Sequence, residues 1–288
     1  MSDTKAMQRL CGLMRKAVQQ YEMLAPGDRV LVGVSGGKDS VALTIGLARL
    51  RQYLGFPFEV VAVTLDPQFG GKPVDYSALE ALFRRYDVPY EVRRTLIGPI
   101  VFDYRNEKNP CSLCAKMRRG ALHNALREHG ITKIALGHHF SDVIETTLLG
   151  LFYGAQLQTM PPKLRSRNFP GMELIRPLYC VHEDAIIAWK NYNGLRFLQC
   201  ACRFTEERDG AADGVGESKR QEMKLLLREL KKTNPNIEKS IFQGINGLQL
   251  DTFPGFKHRG VFHSFPELYN HPDWFAGETK SEEISEEL

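Results

Sequence analysis

A strand, a glycine turn and a helix within residues 30–43 constrain this chain more than any other part of its sequence. The apolar run 30–34 predicts a buried parallel strand, and a helical pattern begins near Asp39. Such a turn directs free backbone N–H groups and a helix N-terminus at one point, which favours an anion there. Glycine keeps that point open to a phosphate group. The turn consists of Ser35, Gly36, Gly37, Lys38, Asp39 and Ser40.

The rest of the pattern alternates strands with helices, which predicts an α/β fold with a parallel sheet and helices on both faces. Further strands are expected at 60–65, 90–94 and 133–137, and helices at 6–24, 39–55, 76–86, 115–129, 142–152 and, as a pair, 217–248. The turns at Ser35, Asp66 and His138 each follow a strand. Because ligands of such sheets bind outside the carboxyl ends of the strands, the three turns are expected to form one site.

Composition favours a cytoplasmic protein with an acidic partner. No apolar stretch approaches the ~20 residues of a membrane span. The N-terminus lacks a signal-peptide core, so no membrane association is expected. The net charge is +4 although five glutamates lie within 278–288, which leaves a basic body suited to a polyanion. Residues 1–250 are interpreted as one domain, and 251–288 as a turn-rich extension with a disordered acidic tail.

Four of the six cysteines form two close pairs. Cys111 and Cys114 make a C-x-x-C motif before a predicted helix, and Cys200 lies two residues before Cys202. In a cytosolic protein this spacing suits tetrahedral zinc, an iron–sulfur cluster or a redox pair. The redox interpretation fits less well, because the first pair follows a long irregular stretch. The remaining two, Cys11 and Cys180, are interpreted as core residues.

Residues 35–40 resemble the SGGxDS loop of the PP-loop ATP pyrophosphatases, which split ATP between its α and β phosphates. A Walker P-loop is excluded, because Lys38 is followed by Asp39. With the cysteine pairs and the GHH-x-x-D segment 137–142, the order and spacing over residues 10–250 are similar to those of the tRNA 2-thiocytidine synthetases. That resemblance implies a homodimer that binds ATP with Mg²⁺ and carries a [4Fe-4S] cluster. It would replace the 2-oxygen of cytidine 32 in the tRNA anticodon loop with sulfur.

The resemblance also implies roles for residues. Lys38, Asp39 and Asp142 are the expected catalytic residues. Lys38 would stabilise charge on the leaving pyrophosphate, and Asp39 is a candidate Mg²⁺ ligand. The turn 35–40, Asp66 and His138 would hold the nucleotide. A plain strand-end role is the alternative for Asp66, and one of the two adjacent histidines is expected only to pack.

The implied cluster ligands are Cys111, Cys114 and Cys200. Cys202 is the alternative to Cys200, because the family usually has a second C-x-x-C where this chain has Cys-Ala-Cys. Three cysteine ligands would leave one iron open for sulfide from a donor such as a cysteine desulfurase. Candidate tRNA contacts are Lys116, Arg118, Arg119, Lys163, Arg165, Arg167, Lys219, Arg220, Lys224 and Arg228. A solvated helix face is the alternative interpretation of the last four.

Other functions remain open at this point. Another PP-loop tRNA modifier, of the 2-thiouridine or lysidine type, is the nearest alternative. Lysidine synthetases do not need Cys111 and Cys114, and zinc-ribbon thiouridine enzymes carry N-terminal C-x-x-C pairs that this sequence lacks. A third hypothesis is a non-catalytic adaptor that binds nucleotide or zinc, against which the intact loop 35–40 argues.

Overall fold

Residues 5–69, 74–105, 110–194 and 219–270 are described by a computed structural model. The chain divides into two units, Met1–Pro235 and Asn236–Leu288. The domain boundary at residue 250 stays a prediction.

The first unit contains a six-stranded sheet with helices around it. Its strands are β1 (Arg29–Gly33), β2 (Glu59–Asp66), β3 (Tyr90–Arg94), β4 (Lys133–Ala135), β5 (Lys163–Arg165) and β6 (Glu173–Ile175). Its helices are α1 (Lys5–Gln20), α2 (Lys38–Leu50), α3 (Ser77–Arg84), α4 (Pro110–Glu128), α5 (Phe140–Gly154), α6 (Glu183–Tyr192) and α7 (Lys219–Thr233). The strand order is β3-β2-β1-β4-β6-β5, and every neighbouring pair is parallel except β5 with β6. The predicted α/β class is confirmed.

The central strands are apolar because both of their faces are covered. Val30, Leu31 and Val32 of β1 are fully buried, and so are Ala62 and Val63 of β2. A strand that is buried on both faces has a continuously apolar sequence, and helices must cover it on each side. The chain runs from β1 outward to β3 and then returns to place β4 on the other side of β1. The strand order therefore reverses between β1 and β4, where such sheets bind ligands.

Several details differ from the sequence-based expectation, and β6 and α6 were not predicted from the sequence. Helix α4 begins at Pro110 and not at residue 115. Proline suits the first turn of a helix, because the N–H groups there have no acceptor within the helix and proline has no N–H. The irregular stretch before it contains a π-helical segment, Pro99–Tyr104. The expected basic loop at 163–167 begins with strand β5, which pairs with β6 in an antiparallel hairpin. Strands of three residues are too short for a two-residue alternation to stand out.

The second unit begins with the second helix of the expected pair, and its residues after 250 have more regular structure than the expected turn-rich extension. It contains α8 (Ile237–Asn246), a short 3-10 helix, the strands β7 (Gly255–His258) and β8 (Val261–Ser264), and α9 (Phe265–Asn270). The two strands form an antiparallel hairpin. The acidic tail lies outside the described residues.

In the described part of the chain, no helix combines the length and apolar character required to cross a membrane.

Candidate functional site

The turn between β1 and α2 is a tight loop that its own side chains hold in shape. Gly36 has a φ of +81°, a conformation that side-chain-bearing residues rarely adopt. The Ser40 hydroxyl donates to the Gly37 carbonyl oxygen at 3.0 Å and accepts from the Ser35 N–H at 3.2 Å. The Gly37 N–H donates to the Ser35 hydroxyl at 3.3 Å. Both serines thus fix the loop conformation at the N-terminus of α2.

The turn after β4 lies directly against this loop. A Cβ atom on Gly137 would lie 3.1 Å from the carbonyl carbon of Asp39 and 3.1 Å from the backbone nitrogen of Ser40. Only glycine allows the two backbones to approach so closely. The close approach brings the His138–Asp142 segment beside the loop, as the parallel topology predicts.

Lys38 and Asp39 contact each other and charged residues of the neighbouring elements. The Lys38 Nζ lies 2.9 Å from a Glu183 carboxylate oxygen and 3.1 Å from Asp39 Oδ2. Burial alone would lower the pKa of Lys38, but Glu183 and Asp39 outweigh it and raise the pKa. Asp39 Oδ1 is buried and accepts no hydrogen bond from any described residue; His139 Nε2 lies 3.8 Å away.

The two adjacent histidines differ in environment. His139 is buried, and its backbone N–H donates to Asp142 Oδ2 at 3.0 Å. Its Nδ1 lies 3.5 Å from the same oxygen. His138 is only half-buried, and burial followed by the charge of Arg176 lowers its pKa. His139 therefore connects Asp39 with Asp142, and the nucleotide contact expected of His138 stays a prediction.

Asp66 lies across the loop, at the end of β2. It is buried, and its Oδ1 accepts the Gln68 N–H at 2.9 Å, which is the structural role weighed for it from the sequence. It also lines a cavity of about 280 Å³ that reaches the loop. The lining residues are Gly33, Val34, Ser35, Gly37, Val63, Thr64, Leu65, Asp66, Pro67, Phe69, Val74, Tyr76, Arg118 and Leu122.

The cavity is bounded by α4, the helix that carries the first cysteine pair. Arg118, a candidate tRNA contact from the sequence, lines the cavity, with its guanidinium 5.7 Å from the centre of the Phe69 ring. Cys114, Arg118 and Leu122 recur every four residues, which places them along one side of the helix. Cys114 is half-buried and lies one turn from the cavity, and Cys111 lies in the first turn of the helix.

The remaining cysteines fall into two groups. Cys11 and Cys180 are buried, as expected of core residues. Cys200 and Cys202 lie outside the described residues. Within the described ranges, no three side chains of the His, Cys, Asp or Glu type are grouped as a metal site would require.

Sequence reasoning missed a network of charges that joins α5, α6 and α7 beside the loop. Glu145 has a side chain that is 2% exposed, and it lies 3.3 Å from Arg220 and 3.8 Å from Lys224. Arg220 also contacts Asp142 Oδ1 at 2.7 Å, and Lys224 lies 3.5 Å from Glu183. An acidic residue in the apolar stretch Val-Ile-Glu-Thr-Thr-Leu-Leu was the available signal.

The network adds a second role for two of the basic residues. Arg220 and Lys224 pair with carboxylates beside the loop, and their role as tRNA contacts stays a prediction. Lys163 donates to the Glu22 carbonyl oxygen at 2.9 Å, so it supports the fold. Exposed candidates for contacts with a polyanion are Lys116, Arg119, Arg165, Arg167, Lys219 and Arg228.

We expect the stability of the wild-type protein to fall, relative to Glu145→Gln, as the pH rises from about 4.5 to about 7. Burial raises the pKa of Glu145 to about 7 against the attraction of Lys224 and Arg220. The folded state therefore holds a proton that the unfolded state has lost, and stability decreases with pH in this window. Across this window, the free energy of unfolding of the wild type should fall relative to that of Glu145→Gln by about 3 kcal/mol at most.

Denaturant unfolding from about pH 5 to about pH 8 measures this gap. Glu229→Gln is the control, because the Glu229 carboxylate, on the same helix as Arg220, makes an exposed pair with Lys232. A difference in free energy of unfolding between the wild type and Glu145→Gln that did not change with pH would contradict the expectation.

The chain matches the PP-loop domain family over residues 8–202. It is 38% identical over 242 residues to the tRNA-cytidine(32) 2-sulfurtransferase of Alkalilimnicola ehrlichii, covering 84% of this chain and 73% of that protein. The enzyme of the same name from Syntrophotalea carbinolica is 34% identical over 238 residues, covering 82% and 88%. Among solved structures, the U34-tRNA thiolase NcsA from Methanococcus maripaludis, with its [4Fe-4S] cluster, aligns with a TM-score of 0.61 at 21% identity. That alignment covers 83% of this chain and 79% of the thiolase and shows a shared fold.

Proposed function

We propose that this chain, which belongs to the PP-loop domain family and within it to the tRNA-cytidine(32) 2-sulfurtransferases, thiolates cytidine 32 of tRNA at the expense of ATP. Membership confirms the resemblance stated from the sequence. The observation that carries the proposal is the identity of 38% over 84% of the chain with an enzyme of that name. Transfer of sulfur to tRNA is accordingly the activity of this family member, and its mechanism is the subject of the proposal.

ATP fits the loop 35–40 and the cavity beside it. The conformation of Gly36 and the α2 N-terminus offer a phosphate site, and the cavity of about 280 Å³ has room for part of a nucleoside. In the proposed reaction the cytidine 2-oxygen attacks the α-phosphate and pyrophosphate leaves. Lys38 moves from Glu183 to the departing phosphates and stabilises their charge. Sulfide then adds at C2, and the 2-oxygen departs with AMP.

Mg²⁺ fits the same site through two carboxylates. Asp39 Oδ1 is a buried oxygen with no hydrogen-bond donor among the described residues. Hard cations prefer carboxylate oxygens next to phosphates, and Asp142 is linked to Asp39 through His139. We propose that Asp39 binds the ion directly and that Asp142 contributes to the same site. A bound Mg²⁺ would neutralise charge on the leaving pyrophosphate.

An iron–sulfur cluster fits the thiols of α4. Cys111 and Cys114 lie three residues apart at the start of α4, whose later residues Arg118 and Leu122 line the nucleotide cavity. Cys200 is the proposed third ligand from the sequence. The structural relative NcsA carries a [4Fe-4S] cluster. When bound through three thiolates, such a cluster supplies an open iron that can present sulfide. The residues of this chain would orient the activated cytidine towards it.

The remaining parts of the proposal concern partners and location. The tRNA would contact the exposed cations described above, and its affinity should fall steeply with salt. We propose a cysteine desulfurase as the sulfur donor and a homodimer as the assembly. The proposed location is the cytoplasm, where ATP and tRNA are available. A non-catalytic adaptor that binds nucleotide or zinc is disfavoured, because relatives with 34% and 38% identity are named tRNA-cytidine(32) 2-sulfurtransferases.

The test is the nucleoside content of tRNA from a strain that lacks this protein. We expect 2-thiocytidine to disappear and to return when the wild-type chain is supplied. Mass spectrometry of digested tRNA measures both. Unchanged 2-thiocytidine together with the loss of 2-thiouridine or lysidine would contradict the proposal and favour the alternative tRNA modifiers.

A further inference from the structure

Two cations of α7, Arg220 and Lys224, both contact the carboxylate of Glu145. Arg220 lies 3.3 Å from one carboxylate oxygen of Glu145, and Lys224 lies 3.8 Å from the other. The Glu145 side chain is 2% exposed. A buried charge that lost its partners would be strongly unfavourable, so Glu145 and the two cations depend on each other.

The same two cations continue into the candidate ATP site along two paths. Arg220 binds Asp142 Oδ1 at 2.7 Å, and Asp142 holds His139 next to Asp39. Lys224 lies 3.5 Å from Glu183, whose other oxygen is 2.9 Å from Lys38. Glu145 therefore lies between a path that leads to Asp39 and a path that leads to Lys38.

We propose that Glu145 is a positioning residue for the ATP site: it holds Arg220 and Lys224 of α7 in place, and through them the side chains of Asp142, Glu183 and Lys38. This inference rests on the proposed function, because it assumes that ATP binds at the loop 35–40. Helix α7 then supports the site from outside the cavity, through these ion pairs. Its two cations orient the carboxylates of α5 and α6.

Stability alone does not account for this carboxylate. Burial raises the pKa of Glu145 even in the presence of its two cations, so its ionised form makes the fold less stable. The groups that face it are Arg220 and Lys224 on α7, Asp142 on its own helix and Glu183 on α6. A buried carboxylate whose two cations also bind Asp142 and Glu183, beside a candidate ligand site, indicates a functional role.

The test is a double-mutant cycle of Glu145→Gln and Arg220→Ala, read as the affinity for Mg-ATP by calorimetry. We expect Glu145→Gln alone and Arg220→Ala alone each to weaken binding by about tenfold. In the double variant the second change should add less than about threefold, because both remove the same arrangement. Glu229→Gln, which removes an exposed carboxylate from α7, should bind Mg-ATP like the wild type.

Two results would overturn the proposal. One is wild-type Mg-ATP affinity in Glu145→Gln, and the other is full additivity of the two changes. A purely structural role would lower the unfolding temperature without this coupling in affinity, so thermal unfolding is measured beside it. Failure of the proposed function would give a different result: the wild-type protein would bind Mg-ATP but transfer no sulfur to tRNA.

Discussion

Replacing Lys38 by alanine is expected to slow tRNA-dependent pyrophosphate release by roughly a hundredfold to a thousandfold. Lys38 is the cation at the N-terminus of α2, and Glu183 and Asp39 hold its ammonium group in the site. The negative charge that develops on the leaving pyrophosphate is stabilised best by a cation already in position. Water molecules would first have to reorient, which costs free energy. A colorimetric assay of pyrophosphate, with ATP and unmodified tRNA supplied, measures the rate.

Lys232→Ala is the matched control, since Lys232 is an exposed lysine that pairs with Glu229 on α7. It should release pyrophosphate at the wild-type rate. Lys38→Ala leaves Glu183 with Lys224 as its remaining cation, so its unfolding temperature is compared with that of the wild type. A folded Lys38→Ala variant with an unchanged rate would show that the loop 35–40 does not carry the activation step.

The loop and its two flanking elements could be predicted because their signals are local. An apolar run, two glycines and a helical pattern follow one another over residues 30–43, and the structure shows β1, the turn and α2 there. The meeting of Ser35, Asp66 and His138 at one edge followed from parallel topology alone. The hairpin of β5 and β6 could not be predicted in this way. Each strand has three residues, and their pairing depends on contacts distant in sequence.

The charge network of the site was hidden from the sequence for a similar reason. Glu145 and Arg220 are separated by 75 residues, and no alternation or spacing links them. Basic residues on an amphipathic helix usually face solvent or an acidic partner, so Arg220 and Lys224 suggested tRNA contacts. The place of Arg118 in the wall of the nucleotide cavity was hidden likewise, because it depends on residues distant in sequence.

Replacing Cys111 by alanine is expected to abolish thiolation of tRNA while leaving ATP binding within about twofold of the wild type. Helix α4 places Cys111 and Cys114 in its first turn and places Arg118 and Leu122 further along, in the wall of the cavity. The thiols and the nucleotide site therefore use different turns of one helix, and loss of a thiol should spare the cavity. Protein purified without oxygen is compared for visible absorption, Mg-ATP affinity and 2-thiocytidine formed.

Cys180→Ala is the control for loss of a thiol in general, because Cys180 is buried, lies near Lys16 of α1 and has no proposed role in the site. It should keep its visible absorption and its thiolation activity. Cys111→Ala should lose both and still release pyrophosphate, because activation of the 2-oxygen precedes sulfur transfer. Thiolation that survived in Cys111→Ala would contradict a cluster on α4. Loss of ATP binding in that variant would mean that the two halves of the site are not separable, since the cysteine would then also support the cavity that Arg118 and Leu122 line.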